Sequence, residues 1–337
     1  MPIELPQPYL LFIGDAADPT YAKTAFGLRD WAPEQCVGEL ALPGATVTTG
    51  LQQMSPAEAV QAGARSIIIG VVNSGGFIPD NWVPSLVAAL EAGLDIVSGM
   101  HRRLADVPVL KAAADRLGRR LIDIRIPPAD LPVGTGERRS GRRLLTVGTD
   151  CALGKKYTAL SLARGFASRG IDATYRATGQ TGIMISGSGI PIDAVVSDFI
   201  SGAAEQLSPA AAPDHWDVVE GQGSLLHPSF AAVTLGLLHG SQPDVIVLCH
   251  DPRRTEIRGL KGFPIPPLPE VIELYLSLAR LTNPDVRCAG ISLNTAGMSL
   301  GDADEALAAV EQKTGLPAAD PFRVAAGFER LIDACLA

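Results

Sequence analysis

With 337 residues, 47% of them hydrophobic, the chain can bury large cores, and its length predicts two domains. A formal charge of −8 with no basic tract excludes nucleic acid as the main partner. Five scattered cysteines without a CxxC pair exclude a recognisable zinc module, and no apolar run approaches the ~20 residues of a membrane helix.

The opening Pro2, Glu4 and Pro6 lack the basic-then-apolar order of a leader, so a soluble, cytoplasmic protein is expected. Strand-like and helical runs then alternate, which predicts parallel α/β architecture. Tyr9–Ile13, Ser66–Val72, Leu94–Val97 and Leu121–Ile126 read as buried strands. Between them, Pro56–Ala62, Pro84–Ala92 and Leu104–Leu117 carry helical periodicity, stopped by Gly63, Gly93 and Gly118. The turns at Asn73-Ser74-Gly75-Gly76 and around His101 follow strands and read as polar caps. A polar stretch from Pro127-Pro128 through Gly134–Gly141 marks a boundary, giving domains 1–130 and 143–337 with a linker at 131–142. Its pairs Arg138-Arg139 and Arg142-Arg143 read as solvated.

The second domain restarts with a strand at Leu144–Val147, followed by Ala173–Ala177, Val218–Glu220, Val245–Cys249 and Ala289–Leu293. Helices are expected over Lys155–Ser168, Ala194–Glu205, Phe230–Leu238, Glu270–Leu281 and Ala303–Thr314. A charged, proline-rich loop spans Asp251–Pro269, a length more often functional than passive. The apolar helix near Phe328–Leu336 suits a core or an interface, and a homo-oligomer is expected.

The first strand of this domain runs through Gly148, Thr149, Asp150, Cys151, Ala152, Leu153 and Gly154 into Lys155, Lys156, Tyr157 and Thr158. A glycine-bounded loop between strand and helix aims backbone N–H groups and a helix N-terminus at one spot, which suits a polyphosphate. A nucleotide hydrolase keeps Ser or Thr at position 156, where a hydroxyl holds Mg²⁺. Lys156 is a donor and a cation, so it binds phosphate without ligating metal, and no metal is expected. Thr158 is the one nearby hydroxyl that leaves Mg²⁺–ATP as the lesser alternative.

In an open parallel sheet, ligands bind beyond the carboxyl ends of the strands. That rim collects Arg176, Gln180 and Thr181, then Gln222, Ser224 and His227, then Arg253 and Arg254, and finally Asn294. Glu220-Gly221-Gln222-Gly223 places an acid at a strand tip, followed by glycines that let backbone approach a ligand. Cys151, beside Lys155 and a helix N-terminus, is placed to accept an acyl group or to pack behind the loop.

Gly148-Thr149-Asp150…Gly154-Lys155, Glu220-Gly221-Gln222-Gly223 and Ile291–Asn294 resemble the segments of dethiobiotin synthetase that bind ATP phosphates, Mg²⁺ and adenine. A closer resemblance covers nearly the whole chain. Ser98–Leu104, Val147–Lys156, Ala177–Gly182, Pro191–Phe199, Glu220–Pro228, Leu237–Asp244 and Leu248–His250 are similar to a two-domain P-loop family that includes a D-glutamate N-acetyltransferase. The resemblance implies a Rossmann-like N-terminal domain, a P-loop C-terminal domain, acetyl-CoA as donor, and D-glutamate or a similar D-amino acid as acceptor. Coenzyme A carries a diphosphate on adenosine, so an ATP-type cradle can be reused without metal.

Acetyl transfer needs a base for the amine and donors for the oxyanion. Glu220 and His227 are the candidate bases. Arg176, then Arg253, would grip substrate carboxylates, with Gln180, Thr181, Gln222 and Ser224 around the acceptor. Gly148, Thr149, Asp150, Cys151, Gly154, Lys155, Lys156, Tyr157, Thr158 and Asn294 would hold the cofactor. The rival readings are a Mg²⁺–ATP-dependent ligase or kinase and a non-catalytic nucleotide-binding module.

Overall fold

The computed structural model describes residues 2–73, 75–323 and 325–337, and the chain divides into two compact units. Ser74, within one of the expected turns, lies outside the described residues. One unit comprises Ile3–Pro127 and Gln180–Ala194; the other comprises Pro128–Gly179 and Val195–Ala337.

The first unit contains β1 (Ile3–Glu4), β2 (Tyr9–Gly14), β3 (Cys36–Ala41), β4 (Ser66–Ile69), β5 (Asp95–Ser98) and β6 (Leu121–Asp123). Its helices are α1 (Lys23–Trp31), α2 (Pro56–Gln61), α3 (Val83–Ala92) and α4 (Pro108–Leu117). The strands after β1 form a parallel sheet in the order β3-β2-β4-β5-β6. Parallel sheets are covered on both faces, and β2 is accordingly buried along its whole length. Ser55 and Glu58 close a capping box on α2, while Gly93 and Gly118 end α3 and α4 in the left-handed region, as their positions in the sequence predict.

Among the elements of this unit absent from the sequence reading are α1 and β3. α1 buries only Ala25, Gly27 and Leu28, too thin an apolar stripe to stand out. β3 carries Glu39 at a fully buried position. Its carboxylate accepts bonds from Thr48 Oγ1 (2.5 Å), Thr49 N (2.7 Å), Thr49 Oγ1 and Gln53 Nε2 (3.0 Å), so the charge is satisfied locally and the strand is disguised.

The chain enters the second unit with β7 (Arg142–Gly148), α5 (Lys155–Ser168) and β8 (Ala173–Arg176). α6 (Gln180–Ser186) and β9 (Ser188–Gly189) then return to the first unit, where β9 pairs antiparallel with β1. The second unit resumes with α7 (Ile200–Leu207), β10 (Trp216–Val219), α8 (Ala231–Ser241), β11 (Val245–His250) and α9 (Leu268–Ala279). It ends with β12 (Arg287–Leu293), α10 (Leu300–Thr314), β13 (Ala318–Ala319) and α11 (Ala325–Leu336).

The strand order is β13-β12-β11-β7-β10-β8, all parallel, with β7 at the centre. From β7 the chain builds outward to β8 and β10, then reverses to β11 on the other side. Loops after all these strands therefore emerge on one rim beside the point of reversal, where ligands bind in such sheets. α5 and α11 cover one core, in which Leu144, Leu162, Phe166, Trp216, Val218, Leu331 and Ile332 are buried. Each such side chain contributes about 1.5–3 kcal/mol. Phe166 meets Trp216 edge-on at 5.4 Å. No helix among the described residues is long and apolar enough to cross a membrane.

The arginine pairs near the domain boundary are not all solvated. Arg143 is 3% exposed, and its guanidinium donates to Ser208 Oγ and to the carbonyls of Ser140, Arg139, Gly141 and Pro209. Arg139 donates to the carbonyls of Ser208, Gly240 and Ser241, and burial pushes its pKa down to about 10. These side chains serve the backbone ends of α7 and α8, an arrangement that local composition does not reveal.

Candidate active site

The loop between β7 and α5 turns through Ala152 at φ +52° and Gly154 at φ +110°. Left-handed residues within such a loop turn successive amides to one side, making a concave anion nest at the N-terminus of a 14-residue helix. Ala152 has a Cβ and adopts this conformation at a cost, the sort of strain that concentrates at functional loops. Lys155 is buried, and its Nζ donates to the carbonyl of Asp150 at 2.9 Å. Burial pushes its ammonium pKa down, opposed by neighbouring thiols and acids.

The floor beneath the loop explains the glycines after β10. A Cβ on Gly221 would lie 1.7 Å from the Thr146 carbonyl oxygen, and Gly221 N donates to Thr146 Oγ1 at 3.0 Å. Gly223 has φ +63° and approaches Phe230 O so closely that a Cβ would sit 2.5 Å away. The spacing is thus a packing requirement of the strand tips.

Glu220 Oε2 accepts the amides of Thr178 (2.9 Å) and Gly179 (3.0 Å), while Thr178 Oγ1 donates to the Glu220 carbonyl and accepts from Gln222 Nε2. The carboxylate pins the end of the segment after β8. Ser224 Oγ is fully buried and accepts Leu226 N.

His227 is 7% exposed, stacks at 4.5 Å on the Phe230 ring, and accepts Ser229 N on Nδ1 at 3.2 Å. Ligating atoms of Asp150, Cys151 and His227 all lie within 4.8 Å of one another. Burial pushes the Cys151 thiol up despite the lowering effect of Lys155, so the resting group is a thiol and not the stabilised thiolate that the helix N-terminus alone suggests.

Asp150 is fully buried, and both of its carboxylate oxygens are bonded. Oδ1 accepts Cys151 N, and Oδ2 accepts Arg254 NH1 (2.9 Å) and Arg258 N (2.8 Å). Arg254 also donates to the carbonyls of Cys151 and Ala152. The long segment after β11 is therefore latched onto the phosphate loop through Arg254, a residue ranked below Arg176 in the sequence reading. Arg253 instead forms a fork with its neighbour Asp251.

On the helix side of the loop lies a cavity of about 230 Å³, walled by Leu153, Tyr157, Leu293, Asn294, Pro321 and Phe322 among others. Tyr157 and Phe322 meet edge-on at 5.8 Å, and Lys156 Nζ lies 4.3 Å from the Tyr157 ring centroid. A small apolar cavity with a cation over one of its aromatic walls suits a heterocycle carrying phosphates. Asn294 braces its own turn by accepting Ala296 N. The Thr158 hydroxyl is paired with Ser292 Oγ at 2.8 Å and accepts the Cys249 thiol, so it does not replace a hydroxyl at position 156.

The structure thus brings Gly148–Thr158, Glu220, Gln222, Ser224, His227 and Asn294 into the P-loop unit's strand-end region. Arg176 directs Nε to Asp217 Oδ1 at 2.6 Å, back along the sheet face toward the amino end of β10. Gln180 and Thr181 belong to the other unit, where Gln180 Nε2 donates to Asp193 and Thr181 Oγ1 meets Thr24 Oγ1.

Of two further residues that shape the site, Tyr275 escaped the sequence, whereas His250 closes the Leu248–His250 motif. Tyr275, fully buried on α9, donates to the Gly148 carbonyl at 2.8 Å and accepts Leu225 N, linking the start of the loop to the His227 segment. Burial pushes its phenol up to about 12. His250 shares a hydrogen bond with Thr149 Oγ1 at 2.9 Å, and burial pushes its imidazole down to about 4. Tyr275 does not stand out locally, since it reads as a core aromatic.

The sequence matches the P-loop domain of the DUF1611 family, a domain of unknown function, over residues 132–332. It matches that family's Rossmann-like N-terminal domain over residues 36–127. Two curated proteins called D-glutamate N-acetyltransferase are similar along nearly their whole length. The protein from Tritonibacter scottomollicae is 49% identical over 98% of this chain and 98% of its own. That from Pseudoalteromonas sp. is 50% identical over 95% and 97%. The crystal structure of a DUF1611 family protein from Anabaena variabilis is 37% identical, covers 98% of this chain and 99% of that chain, and superposes with a TM-score of 0.83. With both family domains matched in order and a solved relative sharing the fold, the chain belongs to the DUF1611 family, a Rossmann-like domain followed by a P-loop domain.

Proposed function

We propose that this protein transfers the acetyl group of acetyl-CoA to the amine of D-glutamate or a similar D-amino acid, as a step in D-amino acid catabolism. The observation that carries the reading is identity of about half over nearly full length to two D-glutamate N-acetyltransferases. The site is chemically suited to it. The amide nest with Lys155 and Lys156 matches a diphosphate, and the Tyr157–Phe322 cavity accepts the attached heterocycle. Lys156 supplies charge where a metal-dependent enzyme needs a hydroxyl.

Of the two candidate bases, we assign proton removal to His227. Glu220 holds the amides of Thr178 and Gly179, whereas His227 holds one longer contact from Ser229 N and lies within 4.8 Å of Cys151 beside the loop. Five free thiols support a reducing, cytoplasmic setting, and a homo-oligomeric state is part of the same proposal. The test is release of free CoA thiol by the purified chain across D- and L-amino acids. Release from acetyl-CoA that depends on D-glutamate is expected; no release with any amino acid would overturn the assignment.

A further inference from the structure

We propose that Cys151 takes the acetyl group covalently and passes it to the amine, with His227 as its proton acceptor, so that transfer proceeds through an acetyl-enzyme. The inference rests on the acetyl-transfer reading and deepens it. Cys151 and His227 come from separate segments, the loop before α5 and the loop after β10, yet their reactive atoms lie within 4.8 Å. Ser229 N donates to His227 Nδ1 at 3.2 Å, so taking a proton from Cys151 requires the ring to give up that long contact. A half-buried neutral thiol requires a proton acceptor before it can attack.

Asp150 completes the cluster as a positioning residue. Its Oδ1 holds the Cys151 amide and its Oδ2 holds Arg254 and Arg258, fixing the backbone that carries the thiol. The same occupancy argues against a metal at the trio, because both carboxylate oxygens are already bonded and the Arg254 guanidinium stands 2.9 Å away.

In the first half-reaction the Cys151 proton passes to the His227 imidazole and sulfur bonds the acetyl carbonyl carbon. The C–S bond to CoA breaks, and the leaving thiolate takes the proton from the imidazolium. In the second half, the neutral amine attacks the acetyl-Cys151 carbonyl, its proton moves to His227, and the C–S bond breaks. Cys151 recovers its proton and the amide leaves. Because the thiol lies on the loop that also receives the diphosphate, the flexible arm between diphosphate and thioester has to fold back.

The test incubates the full chain with acetyl-CoA alone, followed by acid quench and peptide mass analysis. One acetyl group on Cys151, a burst of one CoA per chain and parallel initial-rate lines are expected, all unchanged in EDTA. Cys151→Ala is expected to lose the adduct and about a thousandfold in kcat/KM while still binding CoA. His227→Ala is expected to slow adduct formation by about 10²–10⁴. A wild type that turns over D-glutamate without an adduct, with Cys151→Ala nearly as active, overturns the covalent route and leaves acetyl transfer standing. Loss of turnover in EDTA overturns it in favour of a metal at the trio. Absence of both turnover and adduct removes the acetyl-transfer reading itself.

Discussion

The P-loop sheet carries two buried polar clusters, one at each end, and they are built differently. At the amino end, Asp217 accepts Arg176 Nε, His215 Nε2 and Ser208 Oγ, while Arg143 is surrounded by a hydroxyl and four carbonyls. That cluster is closed. At the carboxyl end, Asp150 and Glu220 are equally well satisfied, but Cys151 and His227 stand beside an anion nest, and Lys156 Nζ lies near the ring of Tyr157, which walls a cavity. Buried charge therefore does not mark function in this fold.

The sharpest way to break this contrast is at the closed cluster. Asp217→Ala leaves Arg176, His215 and Ser208 without their shared acceptor, and should cost about 3–5 kcal/mol in denaturant unfolding. The folded fraction should keep its KM values, and a raised KM for the acceptor would place Arg176 back in substrate binding. Next in size is a pH effect at the open end. His250 titrates at about 4 in the fold and about 6.5 unfolded, so the unfolded chain binds more protons between those values. Stability should be fully present above about pH 6.5 and fall by about 3 kcal/mol as pH drops through about 4. In His250→Asn that slope should disappear from urea midpoints.

Smaller effects separate binding from folding. Lys156→Thr should weaken CoA binding by about tenfold while shifting stability by less than about 0.5 kcal/mol. Tighter Mg²⁺–ATP binding by this variant with unchanged CoA binding would contradict the role given to the cation. Arg253→Ala should be the mildest, below about 1 kcal/mol, because its fork to Asp251 is partly exposed. A large rise in acceptor KM for Arg253→Ala would show that the fork opens toward substrate.

The contrast also explains what could be read from the sequence. The strand–loop–helix around Gly148–Lys155 was legible because its signal is local: an apolar run, glycines where positive φ is needed, and a helix over Lys155–Ser168 as observed. The family's two domains were legible through several motifs spread along the chain. Partner choice was not. Arg176 follows a strand as a substrate arginine would, yet its side chain lies back along the sheet to Asp217, a carboxylate 41 residues away. Gln180 and Thr181 read as rim residues, but they begin a helix that packs in the other unit. Arg254 and Tyr275 hold the loop across more than a hundred residues, and no spacing announces such contacts.

The central claim is that the nest at Gly148–Lys156 grips the diphosphate of coenzyme A without a metal ion. Calorimetric titration of the full chain with CoA, and separately with ATP plus Mg²⁺, tests it directly. Stoichiometric CoA binding that is indifferent to EDTA and weakened in Lys156→Thr is the predicted result. Tight Mg²⁺–ATP binding with no measurable CoA binding would contradict it.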